Sequence, residues 1–526
     1  MKSKSQSSSA QQSKPSLEVL IESLLREATE DFEETPNLKW EWDHYLRLSS
    51  LIQKIKERES GRDNQDKQDA IDENARRASE LPEFIQWLQR NRADFKKMSI
   101  GPVENDCGFG LKATDSLKSG ELAFSVPKSI VMSAEKARSS KLSVLVDKDP
   151  ILCNMQNVLL AMFLLYEKYV NPESFWKPYL RIIPSKFDTV AYYTEAEMAL
   201  LKISPRAFRE SLRMYRHISR QYAYFHTKFK NSTSLASKGL KKIFTYNRYT
   251  WAVSAVSTRV NNWPNKHDTL CLVPLLDLCN HGEGEEISTD YNDESESFLC
   301  YAGSDFAQES EFKMFYGHRS SIDFLIHNGF VPNNFKDDIY FLELSLGTNA
   351  ANSARKFSLL RESKMDSRMT FPLAPERLTN ARKLFAFIHI FIANEEKLCL
   401  YEEENKENLE AVLEQPTVEC LKYLHDRLEL MKRVADNSIA TALRTLCKNL
   451  SIDGSQAQEK IEAQYSKVSG NILQLLRNEL KLLDMLVHCC KDFKISLQNN
   501  ALKPPQEDTP SQVANTEIES NPSDNN

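Results

Sequence analysis

The chain has 526 residues, 41% of them apolar and 27% charged, with a formal net charge of −6. A single core rarely grows past roughly 250–300 residues, so more than one domain is expected, with enough apolar content to build a sizeable core. The acidic balance supplies no global attraction to nucleic acid or anionic lipid, local patches aside. The longest apolar runs, Val158–Tyr166 and Leu384–Ala393, fall well short of the ~20 residues that span a bilayer.

Residues 1–35 are read as a disordered N-terminus. Met1–Lys14 is rich in Ser, Gln and Lys, carries no apolar stretch of the secretory kind and has nothing to bury. Pro36–Glu59 contains Trp40, Trp42, Tyr45, Leu46, Leu51, Ile52 and Ile55, a mixed pattern that fits a helix packed on something else. With the charged stretch Glu59–Glu80, read as a solvated linker or helix edge, and a short helix starting at Phe84–Trp87, it forms a helical segment over 36–95.

From about Ser99 to Met132 short apolar runs such as Leu122–Val126 and Ile130–Met132 alternate with Gly, Pro and Asp, the texture of small strands and turns. Ile151–Tyr169 reads as a mostly buried helix, and Ala191–Phe229 as helices that cross one another. Strand texture returns over Val273–Phe315, with Ile287–Tyr291, Phe298–Tyr301 and Phe312–Phe315. Beyond about Ser345 helices dominate: Leu421, Leu424, Leu428 and Met431 share one face, as do Ile472, Leu476, Leu480, Leu483 and Val487, and such stripes are packing faces. The tail from Ala501, rich in Pro, Ser, Asn and acids, is expected to be disordered. The ten cysteines are scattered without a CxxC pair, and Cys489–Cys490 are adjacent, so reduced, mostly buried thiols are expected, with no metal site, in a cytosolic or nuclear protein.

Three segments carry chemistry. In Gly108-Phe109-Gly110 two glycines let backbone approach a ligand, and the aromatic between them suits an adenine or a sulfonium; alone, such a pattern is more often an ordinary turn. In Leu275-Leu276-Asp277-Leu278-Cys279-Asn280-His281 an apolar run ends in groups that need partners and can together hold a zwitterion, or cap a helix. In Phe315-Tyr316-Gly317-His318-Arg319 a tyrosine at a strand end presents its phenol to a pocket, unless it serves the core. No GxSxG elbow, P-loop or HExxH sequence occurs.

Taken in order, GFG, DLCNH and, about 35 residues later, FYG resemble the SET-domain methyltransferases. Ser174-Phe175-Trp176-Lys177-Pro178-Tyr179-Leu180 looks like the helical insertion of the branch typified by the Rubisco large-subunit methyltransferase. Trp40–Lys56, Gln221–Phe225, Phe244–Arg259 and Tyr316–Phe330 are similar to the actin-histidine methyltransferases within it. The resemblance implies an α+β fold: a β-rich SET core with a pseudoknot over 96–318, a helical insertion over about 133–250, an all-α substrate-binding domain over 345–498 and a disordered tail over 499–526.

It also implies S-adenosyl-L-methionine as cofactor, with Arg77, Cys107, Gly108, Phe109, Arg259, Asp277, Leu278, Cys279, Asn280, His281, Asn328, Gly329 and Phe330 around it. Tyr316 and Asn261 take the catalytic positions, and Val260, Asn261, Leu276 and Tyr316 the substrate pocket. The implied activity is methylation of a histidine of actin at the tele nitrogen, by a cytoplasmic or nuclear monomer that binds neither nucleic acid nor membrane. Cys107 stands where the family often has Glu, Leu276 where the histidine enzymes have Trp, and Val260 where they have Gln. A smaller wall admits a longer side chain, which keeps a lysine methyltransferase of the same branch as the alternative. A non-catalytic SET-fold binding module is the alternative of another class, opposed by Asn280, His281 and Tyr316, groups a decayed site loses first.

Overall fold

The computed structural model describes residues 15–30, 37–63, 72–103, 108–264, 269–404, 406–449 and 466–501. The disorder expected for residues 1–14 and 502–526, and the position of Cys107, lie outside this set, whereas 499–501, expected in the disordered tail, end the helix Lys467–Ala501. The chain divides into two compact units, one of residues up to 339 together with 433–481, the other of 340–432 with 482 onward.

The first unit opens with a helix that the composition does not announce. α1 (Leu17–Thr29) starts at Ser16, whose hydroxyl accepts from the Val19 N–H, and buries Leu20, Ile21, Leu24 and Ala28. The disordered reading of 1–35 is therefore wrong over this stretch. The Ser/Gln-rich start was extended across a short amphipathic stripe that gains its stability only from what it packs on. α2 (Leu38–Glu59) is capped by Asn37, and α3 (Glu73–Arg90) by Asp72. Phe84 and Trp87 thus sit late in a long helix, not at the start of a short one, because Pro82 does not stop α3.

The strands follow as β1 (Met98–Pro102), β2 (Phe109–Ala113), β3 (Leu122–Pro127) and β4 (Met132–Ser133). The insertion then runs through α4 (Ala134–Ser139), α5 (Ser143–Val146), α6 (Pro150–Asn154), α7 (Gln156–Leu165), α8 (Lys177–Ile182), α9 (Glu195–Leu201), α10 (Pro205–Asn231), α11 (Leu235–Ile243) and α12 (Tyr246–Arg259). α9 begins with a reciprocal capping box between Thr194 and Glu197, α10 with Ser204 followed by proline at the first helical position. Along α10 the buried positions Phe208, Leu212, Tyr215, Tyr222, Phe225 and Phe229 recur every three, four or seven residues and form one apolar face, which meets α1 and α2. α7 is buried on every side from Val158 to Leu165 and packs on α12. The helix expected over Ile151–Tyr169 is broken at Met155 and passes into a π turn at Tyr166–Val170.

The remaining strands are β5 (Asn261–Asn262), β6 (Leu270–Leu272), β7 (Asn280–His281), β8 (Thr289–Asn292), β9 (Ser297–Tyr301) and β10 (Glu311–Met314), followed by a turn of helix, α13 (Ser321–Asp323). Three small sheets result, ordered β1-β2-β10-β7, β3-β9-β8 and β4-β6-β5. In the first, β10 lies between β2, to which it is antiparallel, and β7, to which it is parallel, with Lys313 opposite Asn280 and Met314 opposite His281. The segments expected to meet in a knot are thereby laid side by side.

The second unit is not all-α. β11 (Tyr340–Ser345) and β12 (Arg368–Leu373) pair antiparallel over six residues beside helices such as Ser353–Glu362 and Arg382–Ile392. Residues 433–481, expected in the helical domain, belong to the first unit. There Ile472 and Leu476 join its core, Asn478 donates to Ser321 Oγ and to the Pro332 carbonyl, and Glu479 accepts the Ser204 hydroxyl at 2.6 Å. A stripe shows that a helix buries a face, not which core receives it.

Candidate active site

Four chain segments supply the site. α12 ends at Arg259, and its last backbone bond, Val260 N–H to Val256 carbonyl, turns the chain into β5 so that Val260 and Asn261 follow directly. Leu275 takes φ 76°, a conformation costly for a side chain of its size, and tips the chain into the 3₁₀ turn Leu276–Leu278 that delivers Asp277. β10 runs into Phe315 and Tyr316. The π turn Phe324–Asn328 closes on Gly329 at φ 79°. A side chain at Gly329 would be strained by that φ and would place its Cβ 3.0 Å from the Asp188 carbonyl carbon.

These segments surround a cleft of about 530 Å³. Its walls include Arg259, Val260, Asn261, Leu276, Asp277, Cys279, Tyr316 and Asn328. All four residues expected in the substrate pocket therefore share one cavity. Arg77, Phe109, Leu278, Asn280, His281 and Phe330 do not line it, and Leu278 is buried.

Tyr316 donates its hydroxyl to the Cys279 carbonyl at 2.6 Å, and its own N–H reaches His281 Nδ1 at 3.4 Å. Burial holds the phenol above its ordinary range, so it remains a donor. His281 lies among Phe324, Tyr316, Phe330 and Phe315, at ring separations of 4.7 to 6.0 Å. Burial first, then the Arg319 and Lys313 charges, push its pKa down to about 4. A neutral ring can accept from Tyr316, and the histidine acts as a fixed brace. Asn280 donates from Nδ2 to Glu311 at 2.7 Å, tying β7 to β10. Asn328 Oδ1 accepts from Arg319, and the Gly329 carbonyl from Asn471.

Asp277 is the electrostatic centre. Tyr179 of α8 donates to Asp277 Oδ2 at 2.5 Å, and Arg259 Nε lies 3.8 Å from the same oxygen. Oδ1 is buried without a partner. Burial pushes the carboxyl up to about 6 in spite of the lowering by Arg259 and Tyr179. Arg77, 4% exposed, donates from Nε to the Ile182 carbonyl, and burial followed by the Arg259 charge lowers it to about 9. Arg77 and Arg259 face Asp277, with Glu73 and Arg76 also acting on Arg77, a grouping of opposite charges suited to a zwitterion.

The face of Phe109 was expected to cover an adenine or a sulfonium. In the structure Arg77 lies over that ring, 4.6 Å from its centroid, and the residue is 3% exposed. Gly108, at φ 75°, has the Arg77 guanidinium 3.3 Å from where a Cβ would stand, so it needs glycine on both counts. The DLCNH segment is a 3₁₀ turn leading into a strand, not a helix cap. Tyr179, Arg319, Met314 and Ile287 were given no role from sequence. Tyr179 and Arg319 stand inside quoted motifs, and only folding puts their side chains on Asp277 and Asn328.

No protein-family model matches the chain. Actin-histidine N-methyltransferase of Gallus gallus is 36% identical over 367 residues, which cover 69% of this chain and 60% of that protein. The Homo sapiens enzyme of the same name is 34% identical over 372 residues, 70% and 60% of the two chains. The chain thus matches about 60% of the length of these curated relatives. Among solved structures, the SET domain of LSMT bound to lysine and AdoHcy superposes with a TM-score of 0.58 at 15% identity, covering 80% of this chain and 93% of that one. Rubisco LSMT bound to AdoMet gives 0.54 at 16% identity over the same shares. The chain has the SET-domain fold and is similar in sequence, over about 70% of its length, to the actin-histidine N-methyltransferases.

Proposed function

We propose that the chain is an S-adenosylmethionine-dependent protein-histidine N-methyltransferase whose substrate is a histidine of actin, methylated at the tele nitrogen. The observation that carries this reading is the single cleft shared by Asn261, Tyr316, Asp277 and Arg259. The residues fit the cofactor: Arg259, which lines the cleft, answers a carboxylate, and the partnerless Asp277 Oδ1 answers an ammonium or other donor. When bound, S-adenosylmethionine supplies an electrophilic methyl group on a sulfonium.

The protein's own contribution is alignment and exclusion of water, with effective molarity supplying much of the acceleration. Histidine, with an ordinary pKa near ~6.5, is mostly neutral at pH 7 and needs its tautomer fixed rather than a base. Asn261 is suited to that task. Its Nδ2 donates to the Arg259 carbonyl at 3.0 Å, which orients the amide with Oδ1 as the acceptor for the imidazole N–H. The lone pair on the other nitrogen is then available for attack. Tyr316, held by the Cys279 carbonyl, shapes the wall beside it.

Leu276 and Val260 give this wall an aliphatic lining, which favours lysine methylation as the second reading. A lysine must first lose a proton, at a cost of about 4–5 kcal/mol near pH 7. Incubation with actin and S-adenosylmethionine, followed by peptide mass spectrometry, is expected to place the methyl on histidine. A methyl on lysine alone supports the second reading, and an unmodified actin refutes both for this substrate. An actin substrate is the ground for proposing that the protein works in the cytoplasm, and also in the nucleus.

A further inference from the structure

A second concavity shares no lining residue with the cleft at Tyr316. It is open to solvent, spans about 1250 Å³ with that open space included, and is lined by the buried rings of Phe229 and Phe244. Five cations face it: Arg62 beyond the end of α2, Lys230 at the end of α10, and Lys238, Lys241 and Lys242 on one face of α11. Glu18 of α1 is the single acid among its lining residues.

In a chain of net charge −6 this concentration needs a reason. Lysines near helix C-termini complement the helix dipole, and Lys230, Lys241 and Lys242 are so placed. Each helix end, however, carries only about half a charge. Among the lining residues, the ends of α2, α10 and α11 together with Glu18 answer only about half of the five cationic charges. A concave wall with five cations to one acid also focuses its field on whatever enters. His226, among the same lining residues, registers the convergence: burial first, then Arg62, Lys230 and Lys241, hold its imidazole below the ordinary value, with Glu18 opposing.

We propose that this cleft binds a ligand carrying clustered phosphate groups. Each phosphate brings about −1.5 to −2 charges at neutral pH in a compact volume. Lysine ammoniums, as compact and reorientable donors, match several such groups from different sides. The assignment rests on the charge cluster and is independent of the methyl-transfer reading.

Calorimetry of the full chain with inorganic tripolyphosphate is the primary test. Binding is expected at low ionic strength and is expected to weaken steeply by 0.3 M salt. Lys238→Glu with Lys242→Glu is expected to weaken it at least tenfold, and Lys238→Arg with Lys242→Arg to retain it. Both pairs are on exposed positions, and circular dichroism checks that the fold is intact. The nuclear magnetic resonance titration of His226 is expected to move to higher pH when tripolyphosphate is bound. Phosphatidylcholine vesicles with and without phosphatidylinositol bisphosphate distinguish the phosphate source; capture by the phosphorylated vesicles alone supports the proposal with a lipid headgroup as ligand. No binding to either probe, binding unaffected by charge reversal, or equally tight binding of polyglutamate overturns it.

Discussion

The bond from Tyr179 to Asp277 allows a prediction worked from the structure. Tyr179→Phe removes one hydroxyl from a fully buried ring and leaves the packing intact. The lost bond is 2.5 Å long and is donated to a carboxylate whose other oxygen has no partner, so the anion loses its closest stabilising contact. Hydrogen bonds to charged groups contribute about 1.5–3 kcal/mol, equivalent to a factor of roughly ten to a hundred in a protonation equilibrium. Asp277 titrates near 6 in the intact site, raised from its ordinary 3.8 by burial. The variant's carboxyl should therefore titrate in the neutral range or above. Asp277 is the negative charge beside Arg259 and Arg77, so its protonation disturbs the balance of the cofactor site. S-adenosylmethionine binding, measured by calorimetry from pH 5 to 9, is expected to change across pH 6 in the parent protein. In Tyr179→Phe the same change is expected at a pH at least one unit higher. The sign for stability also follows. Because the folded-state value lies above the unfolded one, the folded chain holds this proton more tightly, and the Asp277 contribution to stability is lost as pH rises from about 4 through 6. An unchanged pH midpoint in the variant would refute the view that Tyr179 acts through this carboxylate.

Three further outcomes are expected. Asn261→Ala should lower histidine methylation by roughly tenfold or more through kcat while leaving cofactor affinity nearly unchanged; equal activity, followed by single-turnover mass spectrometry, removes Asn261 from the account. Gly329→Ala should destabilise by about 1–3 kcal/mol, since it combines a positive φ with a Cβ 3.0 Å from Asp188, and urea unfolding reads this directly. Leu24→Ala should cost about 2–5 kcal/mol, because Leu24 is 0% exposed in α1; a loss below 0.5 kcal/mol, on the scale of an exposed site, contradicts the docking of that helix.

The parts of the fold legible in the sequence are those with a local cause. Ser204-Pro205 and Thr194 with Glu197 mark helix starts because their side chains satisfy N–H groups within three residues. The α10 face is legible from its periodicity, and the strands around Leu122–Val126 and Phe298–Tyr301 from short apolar runs between turns. Where the local signal was weak the reading failed. The stripe of α1 was submerged in a polar start, the β11–β12 pair in a helical background, and the first turns of α3 in a charged run. In the site, Tyr316, Asn261, Asp277 and His281 stand in recognisable strings, but the strings do not say what each side chain touches.

The sequence by itself determined the residue types at the site, the order of the motifs, and the helices and strands whose causes lie within a few residues. Only the tertiary structure decided that Arg77 covers Phe109, that Tyr179 reaches Asp277 from 98 positions away, and that lysines of α10 and α11 meet Arg62 around one cavity. Caps and periodicities are short-range and leave their mark in adjacent letters. Burial and charge act through space between residues that the chain order keeps far apart, and they have no local spelling.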